Sequence, residues 1–283
     1  MNENEAPRQR GFSQVDVFTA TPMLGNPLAV VHDGTGLSTE RMAAFARWTN
    51  LSETTFLLPP TNPKADYRVR IFTPGGELPF AGHPTLGSCH VWLESGGRPK
   101  REDVVVQECA IGLVPLRRGE RLAFAAPATT VERVDAELLH RVYAALGLDP
   151  ARVRDTAWLS NGFPQLTLLL DNAATVLALK PDHAALKALG KVGVVGPHPA
   201  GGDLDFEVRF FAAAIGINED PVTGSLNAKI AQWLIDSDRA PTRYVAAQGT
   251  AMGRAGRVHV QRDAQGTWIG GDVAECIAGS VLL

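Results

Sequence analysis

The sequence predicts an α+β protein built as two related halves. Two observations predict it: short apolar β-like runs alternate with a few helical stretches, and part of the first half recurs in the second. Asp66-Tyr67-Arg68-Val69-Arg70-Ile71-Phe72 resembles Asp205-Phe206-Glu207-Val208-Arg209-Phe210-Phe211. Downstream, His83-Pro84-Thr85-Leu86-Gly87-Ser88 echoes Asp220-Pro221-Val222-Thr223-Gly224-Ser225, and both read x-Pro-x-x-Gly-Ser. Chance produces one such match. Two in the same order at nearly the same offset point to a duplicated domain. Gly25-Asn26-Pro27 and Asn161-Gly162-Phe163-Pro164, each ahead of a strand, give a third and weaker echo.

The strand runs are Ser13–Thr19, Leu28–Val31, Thr55–Leu58, Asp66–Phe72, Asp103–Val106, Gly112–Leu116 and Leu122–Ala125. They are rich in Val, Leu, Ile and Phe and bounded by Gly, Pro, Asn or Asp. The first long helix is predicted over Thr39–Thr49, with Ser38 as N-cap and Met42, Phe45, Ala46 and Thr49 on one face. Ala136–Leu146 lies between Asp135 and Gly147, and His183–Leu189 between Asp182 and Gly190, each a cap-to-stop pattern. The Ala, Pro and Thr cluster at Ala125–Thr130 marks a boundary. It gives an N-terminal half, 1–127, carrying Glu53 and His83, and a C-terminal half, 128–283, carrying Asp220. Met1–Arg10 is polar, lacks an apolar signal core and reads as a frayed tail.

Composition narrows the function classes. A chain of 283 residues with 45% hydrophobic and 20% charged residues can bury a sizeable core. The net charge of -3 provides no basic footprint, which argues against a nucleic-acid partner. No apolar run approaches the roughly 18 residues of a membrane helix. Cys89, Cys109 and Cys276 are odd in number and widely spaced, so they read as reduced, buried thiols of a cytoplasmic protein, not as a metal or redox site. A phosphate loop, a His-Glu-x-x-His metal pattern, a Gly-x-Ser-x-Gly elbow and a dinucleotide fingerprint are all missing. Chemistry without metal or cofactor is the simplest reading.

The repeated motif has a physical use. Proline is favoured at a first helical position, which would make His83 and Asp220 the N-caps. The first four N–H groups of a helix lack internal partners and carry its positive dipole end, so they attract carboxylates. Two such ends facing one cleft would hold a small anionic substrate. Either motif alone is explained by helix initiation; their pairing favours a site. Arg70 and Arg209 read as solvated or ion-paired strand residues. Glu53, in Asn50-Leu51-Ser52-Glu53-Thr54-Thr55-Phe56, sits where the chain turns into an apolar run. A carboxylate sheltered there would suit proton transfer. Glu77 and Glu219 qualify on the same grounds, and an exposed loop carboxylate is the plainer reading of all three.

Several stretches resemble the PhzF, or phenazine biosynthesis-like, family. They are Val15-Asp16-Val17-Phe18-Thr19, Gly25-Asn26-Pro27-Leu28-Ala29-Val30-Val31, Asn50-Leu51-Ser52-Glu53-Thr54, Glu219-Asp220-Pro221-Val222-Thr223-Gly224-Ser225, Gln248-Gly249 and the long run from Phe72 to Gly87. The resemblance covers nearly the whole chain. It implies the diaminopimelate-epimerase-like fold, with each half wrapping a sheet or partial barrel around a central helix. It also implies a homodimer and a last strand that can return to the first half. The implied reaction is a cofactor-free isomerisation of a dihydro-hydroxyanthranilate, in which a Glu moves a proton between ring carbons. By resemblance that Glu is Glu53, supported by His83 and Asp220, with Ser52, Gly82, Gly224 and Ser225 lining the substrate. Racemases of this fold use two cysteines near the repeated helix starts, and neither motif here contains one. A racemase or epimerase, and a non-catalytic binding protein, are the rival readings.

Overall fold

The computed structural model describes residues 7–283. It divides into two compact units, 1–124 with 271–283, and 125–270.

In the first unit, β1 (Gln9–Val17) pairs antiparallel with β2 (Asn26–Val31). Helix α1 (Thr39–Thr49) leads into β3 (Glu53–Leu58), which runs parallel to β2. Then come β4 (Tyr67–Thr73), antiparallel to β3, and the short β5 (Gly76–Leu78), folded back on β4. Helix α2 (Gly82–Glu94) crosses to β6 (Val104–Cys109), parallel to β4, and β7 (Gly112–Arg117) and β8 (Leu122–Ala125) follow antiparallel.

The second unit repeats this order. After β9 (Thr130–Glu132) and α3 (Ala136–Leu146), β10 (Val153–Ser160) pairs antiparallel with β11 (Gln165–Leu170). Helices α4 (Ala173–Ala178) and α5 (His183–Lys187) precede β12 (Val192–Pro197), parallel to β11, and β13 (Phe206–Phe211), antiparallel to β12. Helix α6 (Gly224–Asp236) crosses to β14 (Arg243–Gln248), parallel to β13, followed by antiparallel β15 (Gly256–Asp263) and β16 (Gly266–Gly271). The last strand, β17 (Val273–Leu282), runs antiparallel to β1 from Val17↔Val273 to Gln9↔Leu282.

Three boundaries differ from the sequence reading. The units divide at Phe124/Ala125 instead of 127/128; 271–283 belongs with the first unit, the return implied for the last strand, and β17 there supplies β1 with a second neighbour. Of the tail expected over Met1–Arg10, residues 1–6 lie outside the described residues. Beyond them Arg8 N–H donates to the Leu283 carbonyl at 2.8 Å and Gln9 opens β1, because the far terminus completes the ladder. Helix α5 stops at Lys187, and α4, N-capped by Asn172, was not predicted.

The duplicated frame has a duplicated fastener. Asp66 N–H donates to the Val106 carbonyl at 2.8 Å, and Val106 N–H returns to Asp66 Oδ2 at 2.6 Å. Asp205 does the same with Val245, at 2.9 and 2.8 Å. Each aspartate thus sets the register of the parallel step on either side of a crossover helix. Parallel strands need such a crossover, and α2 and α6 supply it. Both helices are buried on nearly every face, from Gly82 to Cys89 in α2 and from Leu226 to Ala231 in α6. α2 touches β1, β2, β3, β6 and β17. A helix enclosed this way must be small or apolar all round. Gly87 meets that demand: an added Cβ would lie 2.5 Å from Leu28 Cδ2.

At the same distance from its helix start, α6 has Lys229, which is 1% exposed. Its ammonium donates to the Phe163 carbonyl at 2.7 Å and to Gln165 Oε1 at 3.1 Å. Burial, then the nearby Lys191 charge, lowers its pKa from 10.5 to about 8. The unfolded chain therefore holds this proton between about pH 8 and 10.5 while the folded chain releases it. The sign follows: the penalty of burying the charge is present below pH 8 and is relieved as pH rises to 10.5. Urea unfolding at pH 7.5 and pH 10 should show a rise of up to about 3 kcal/mol in wild type that is missing in Lys229→Met.

Candidate functional site

Helices outside the two centres are capped by the residues expected. Ser38 accepts from Arg41 N–H, Asp135 from Glu137 and Leu138, Asn172 from Thr175, and Asp182 from Ala184 and Ala185. The two central helices differ. The N-caps are Ala81 for α2 and Thr223 for α6; neither makes a side-chain cap bond, and neither first turn holds an acidic residue. A side-chain cap is worth about 1 kcal/mol, so the leading N–H groups stay available to a ligand at that cost.

This corrects the sequence reading. His83 and Asp220 are not N-caps, and Pro84 and Pro221 are not first helical residues: His83 and Pro84 lie inside α2, while Asp220 and Pro221 lie in the turn before α6. The helix starts instead align Gly82 with Gly224 and His83 with Ser225. In that register Glu77-Leu78-Pro79-Phe80-Ala81-Gly82-His83 matches Glu219-Asp220-Pro221-Val222-Thr223-Gly224-Ser225. The x-Pro-x-x-Gly-Ser match came from a second proline, Pro84, one helical turn too late.

In the first unit, α1 ends at Asn50 in the left-handed conformation, φ 54° and ψ 28°. Asn tolerates this conformation at a helix end. The chain then turns through Ser52 and enters β3 at Glu53, opposite Leu28 of β2. The Glu53 side chain is 13% exposed, and its Oε2 lies 3.2 Å from Nε2 of His83, the second residue of α2. That contact is in ion-pair range but is not aligned as a hydrogen bond. Asn26, fully buried at the start of β2, accepts from Ser52 Oγ at 3.2 Å and reaches His83 Nδ1 at 3.4 Å. Burial pushes His83 down to about 3, against a hydrogen bond to the Pro27 carbonyl that raises it. The ring is therefore neutral at physiological pH. Nδ1 faces the Asn26 amide nitrogen, and Nε2 faces Glu53.

In the second unit, Asp220, 9% exposed, donates its N–H to the Phe210 carbonyl at 3.0 Å. Its Oδ2 accepts from Thr223 Oγ1. Gln248, fully buried at the end of β14, holds the turn between them. Gly249 follows with φ 90°, and an added Cβ would sit 2.7 Å from the Pro221 carbonyl, so only glycine fits there. Gly224 opens α6, and Ser225 is half-buried beside it.

The structure thus brings Ser52, Glu53, Gly82 and His83 together at the start of α2, and gathers Asp220, Gly224 and Ser225 at the start of α6. The sequence reading did not single out Asn26, Thr223 or Gln248 as site residues. Their signals were the Asn-Pro before β2, a Thr at a helix start and the Gln-Gly pair.

Other candidates take structural places. Arg70 grips Glu77 with two hydrogen bonds of 2.7 and 2.6 Å, and Arg209 grips Glu219 with two of 2.8 Å. Cys89 is fully buried in α2, and burial pushes its thiol up to about 12. Among the described residues, no group of three or more His, Cys, Asp or Glu is placed to hold a metal ion, and no helix is long and apolar enough to cross a membrane. A cavity of about 470 Å³ in the first unit, lined by His32, His90, Glu94 and Glu275 among others, includes none of the site residues.

The comparisons with known proteins agree with this frame. The profile of the family described as "Phenazine biosynthesis-like protein" matches residues 15–276. "Antisense-enhancing sequence 1" of Schizosaccharomyces pombe is 37% identical, over 96% of this chain and 98% of that protein. Trans-2,3-dihydro-3-hydroxyanthranilate isomerase of Pseudomonas aeruginosa is 36% identical, over 89% and 90%. A solved PhzF-family protein of Bacillus anthracis superposes with a TM-score of 0.85 at 22% identity, covering 98% of this chain and 100% of that one. A hydroxyproline epimerase of Agrobacterium vitis superposes at 0.63 with 15% identity, covering 98% and 93%. The fold is the diaminopimelate-epimerase-like α+β fold.

The two Arg–Glu forks differ in burial, which sets their worth. Arg209 and Glu219 are 6% and 11% exposed, and Arg209 also donates to the Val176 and Leu179 carbonyls. Arg70 and Glu77 are 25% and 36% exposed. Removing one partner of a buried pair strands the other charge. Arg209→Met should lower stability by about 3–5 kcal/mol, and Arg70→Met by less than about 1 kcal/mol, in urea denaturation.

Proposed function

Since this chain belongs to the phenazine biosynthesis-like protein family and is an isomerase, we propose that it moves a proton between two carbons of a small, carboxylate-bearing ring compound without a cofactor. The observation that carries this reading is the sheltered Glu53–His83 contact at the start of an uncapped, buried helix.

Glu53 acts as the base. Its carboxylate takes a proton from a ring carbon, and the electron pair left behind spreads into the adjacent unsaturated system. The same carboxyl group then returns the proton to a second carbon, so the enzyme ends in its starting state. His83 is neutral, and its Nε2 faces the Glu53 carboxyl group through both transfers. The free N–H groups at the helix starts attract the substrate carboxylate and the negative charge that develops on proton removal. Asp220 accepts from a donor group of the substrate, and Ser52, Gly82, Gly224 and Ser225 line it. The relative from Pseudomonas aeruginosa suggests trans-2,3-dihydro-3-hydroxyanthranilate, or a ring acid of its kind, as the compound to try first. The enzyme works as a homodimer in the cytoplasm, where its free cysteines suit a reducing compartment; light scattering at twice the chain mass would support the dimer.

Glu53→Gln keeps the shape and removes the base. It should lower kcat on that compound by about 10²–10⁴ while leaving the thermal midpoint and ligand affinity near wild type. A wild-type rate in this variant would overturn the role of Glu53.

A further inference from the structure

The turn before α6 contains a hydrogen-bond relay whose direction can be worked out from its members. Gln248 uses all four valences of its amide. Oε1 accepts from Thr223 N–H at 2.9 Å and from Asn227 Nδ2 at 2.9 Å. Nε2 donates to the Asp220 carbonyl at 3.1 Å and to Thr223 Oγ1 at 3.0 Å. The backbone partners fix which atom is which. A peptide N–H can only donate, so it must face Oε1, and a carbonyl can only accept, so it must face Nε2. Asn227 is fixed likewise, because its Nδ2 also donates to the Thr223 carbonyl at 3.0 Å. Thr223 Oγ1 therefore receives a proton from Gln248 and has a single proton of its own to give. Its other partner is Asp220 Oδ2.

We propose that Gln248 and Thr223 are positioning residues that order this proton toward Asp220, holding its carboxylate ionised and fixed in orientation for the isomerase reaction. The inference rests on the role given to Asp220 above. A second observation supports it. Thr223 is the N-cap of α6 and is 8% exposed, yet it makes no cap bond; its hydroxyl is committed to Asp220 instead. Among cap residues with side-chain oxygens, Ser38, Asp135, Asn172 and Asp182 all bond their own helices. Among the charged groups on the elements packed here, Arg209 and Glu219 are closed on each other, Glu207 of β13 faces His198, Lys229 of α6 donates to Phe163 and Gln165, Asp236 of α6 pairs with Arg262 of β15, Arg243 opens β14, Arg257 of β15 lies opposite Ala247, and the Arg254 Cβ borders Gly249.

The test is the titration of the Asp220 carboxyl carbon by NMR in the full-length chain, compared with Thr223→Val, Thr223→Ser and Gln248→Glu. Valine matches threonine in shape and removes no cap bond. It should raise the Asp220 midpoint by about one to two pH units, since a hydrogen bond to a charged group favours ionisation. Serine should restore the midpoint to within about 0.3 unit. Glutamate at 248 keeps the acceptor for Thr223 N–H but competes for the hydroxyl proton, so the midpoint should rise there as well. On trans-2,3-dihydro-3-hydroxyanthranilate, Thr223→Val should lower kcat with little change in KM and shift the acidic limb of the pH profile by the same amount as the NMR midpoint. An unmoved midpoint in folded Thr223→Val overturns the relay; if that variant fails to fold, an unmoved midpoint in Gln248→Glu does so. A wild-type protein inactive on this compound counts against the proposed reaction, while the titration still decides the relay.

Discussion

A helix enclosed by strands can present polar chemistry only at its ends. That constraint governs both halves of this chain. From Gly82 to Cys89 and from Leu226 to Ala231, α2 and α6 are buried on nearly every face. Their flanks are filled by packing, and at Gly87 no side chain fits at all. What remains is the first turn, where N–H groups lack partners in any helix. Elsewhere in the chain Ser, Asp or Asn satisfies those groups. Here they are left open, and Glu53, His83 and Asp220 stand beside them. The proposed site lies where the fold leaves helix starts without a side-chain cap.

Duplication explains why there are two such ends, and divergence explains why they differ. The strand order, the Asp66 and Asp205 fasteners and the Arg–Glu forks are shared, so each half inherits the same rigid approach to its helix. The residue after the opening glycine is His83 in one half and Ser225 in the other. The residue before it is Ala81 in one and Thr223 in the other. The first half surrounds its helix start with a neutral imidazole and an acid able to carry a proton. The second surrounds it with hydroxyls and a carboxylate that accepts from one of them, Thr223. Even the helix flank has changed, glycine at 87 and lysine at 229. Lys229 is tolerated because the Phe163 carbonyl and Gln165 accept from it and because burial eases its proton away.

Much of this frame was legible in the sequence. Repeated strands at Asp66 and Asp205 announced the duplication, and capped helices such as Thr39–Thr49 declared both ends through Ser38 and Asn50. The central helices were harder, because what marks them is the absence of a cap. Ala81 carries no capping group, and Thr223 looks like an ordinary cap while its hydroxyl serves Asp220. Reading prolines as helix starts then pulled the register to Pro84, since a proline early inside a helix looks the same in sequence as one at its first position. Glu53 could not be separated from Glu77 or Glu219 by local pattern. Only pairing separates them: Glu77 and Glu219 are gripped by arginines of β4 and β13 that precede them by 7 and 10 residues, whereas Glu53 meets a buried imidazole far along the chain.

That difference in partner decides what each carboxylate can do. An arginine stays charged at any accessible pH, and Glu77 and Glu219 are each committed to one through two charge-assisted bonds. His83 is uncharged across the physiological range because burial pushes it down to about 3. It cannot pin Glu53 as an ion pair, and it offers a neutral ring nitrogen in place of a charge. A neutral partner makes a weaker bond to a carboxylate than a cation does. Proton transfer between carbons needs a group for which the two states lie close in energy. An imidazole kept uncharged by burial is the physical reason we assign the proposed proton transfer to Glu53 and not to the other two glutamates.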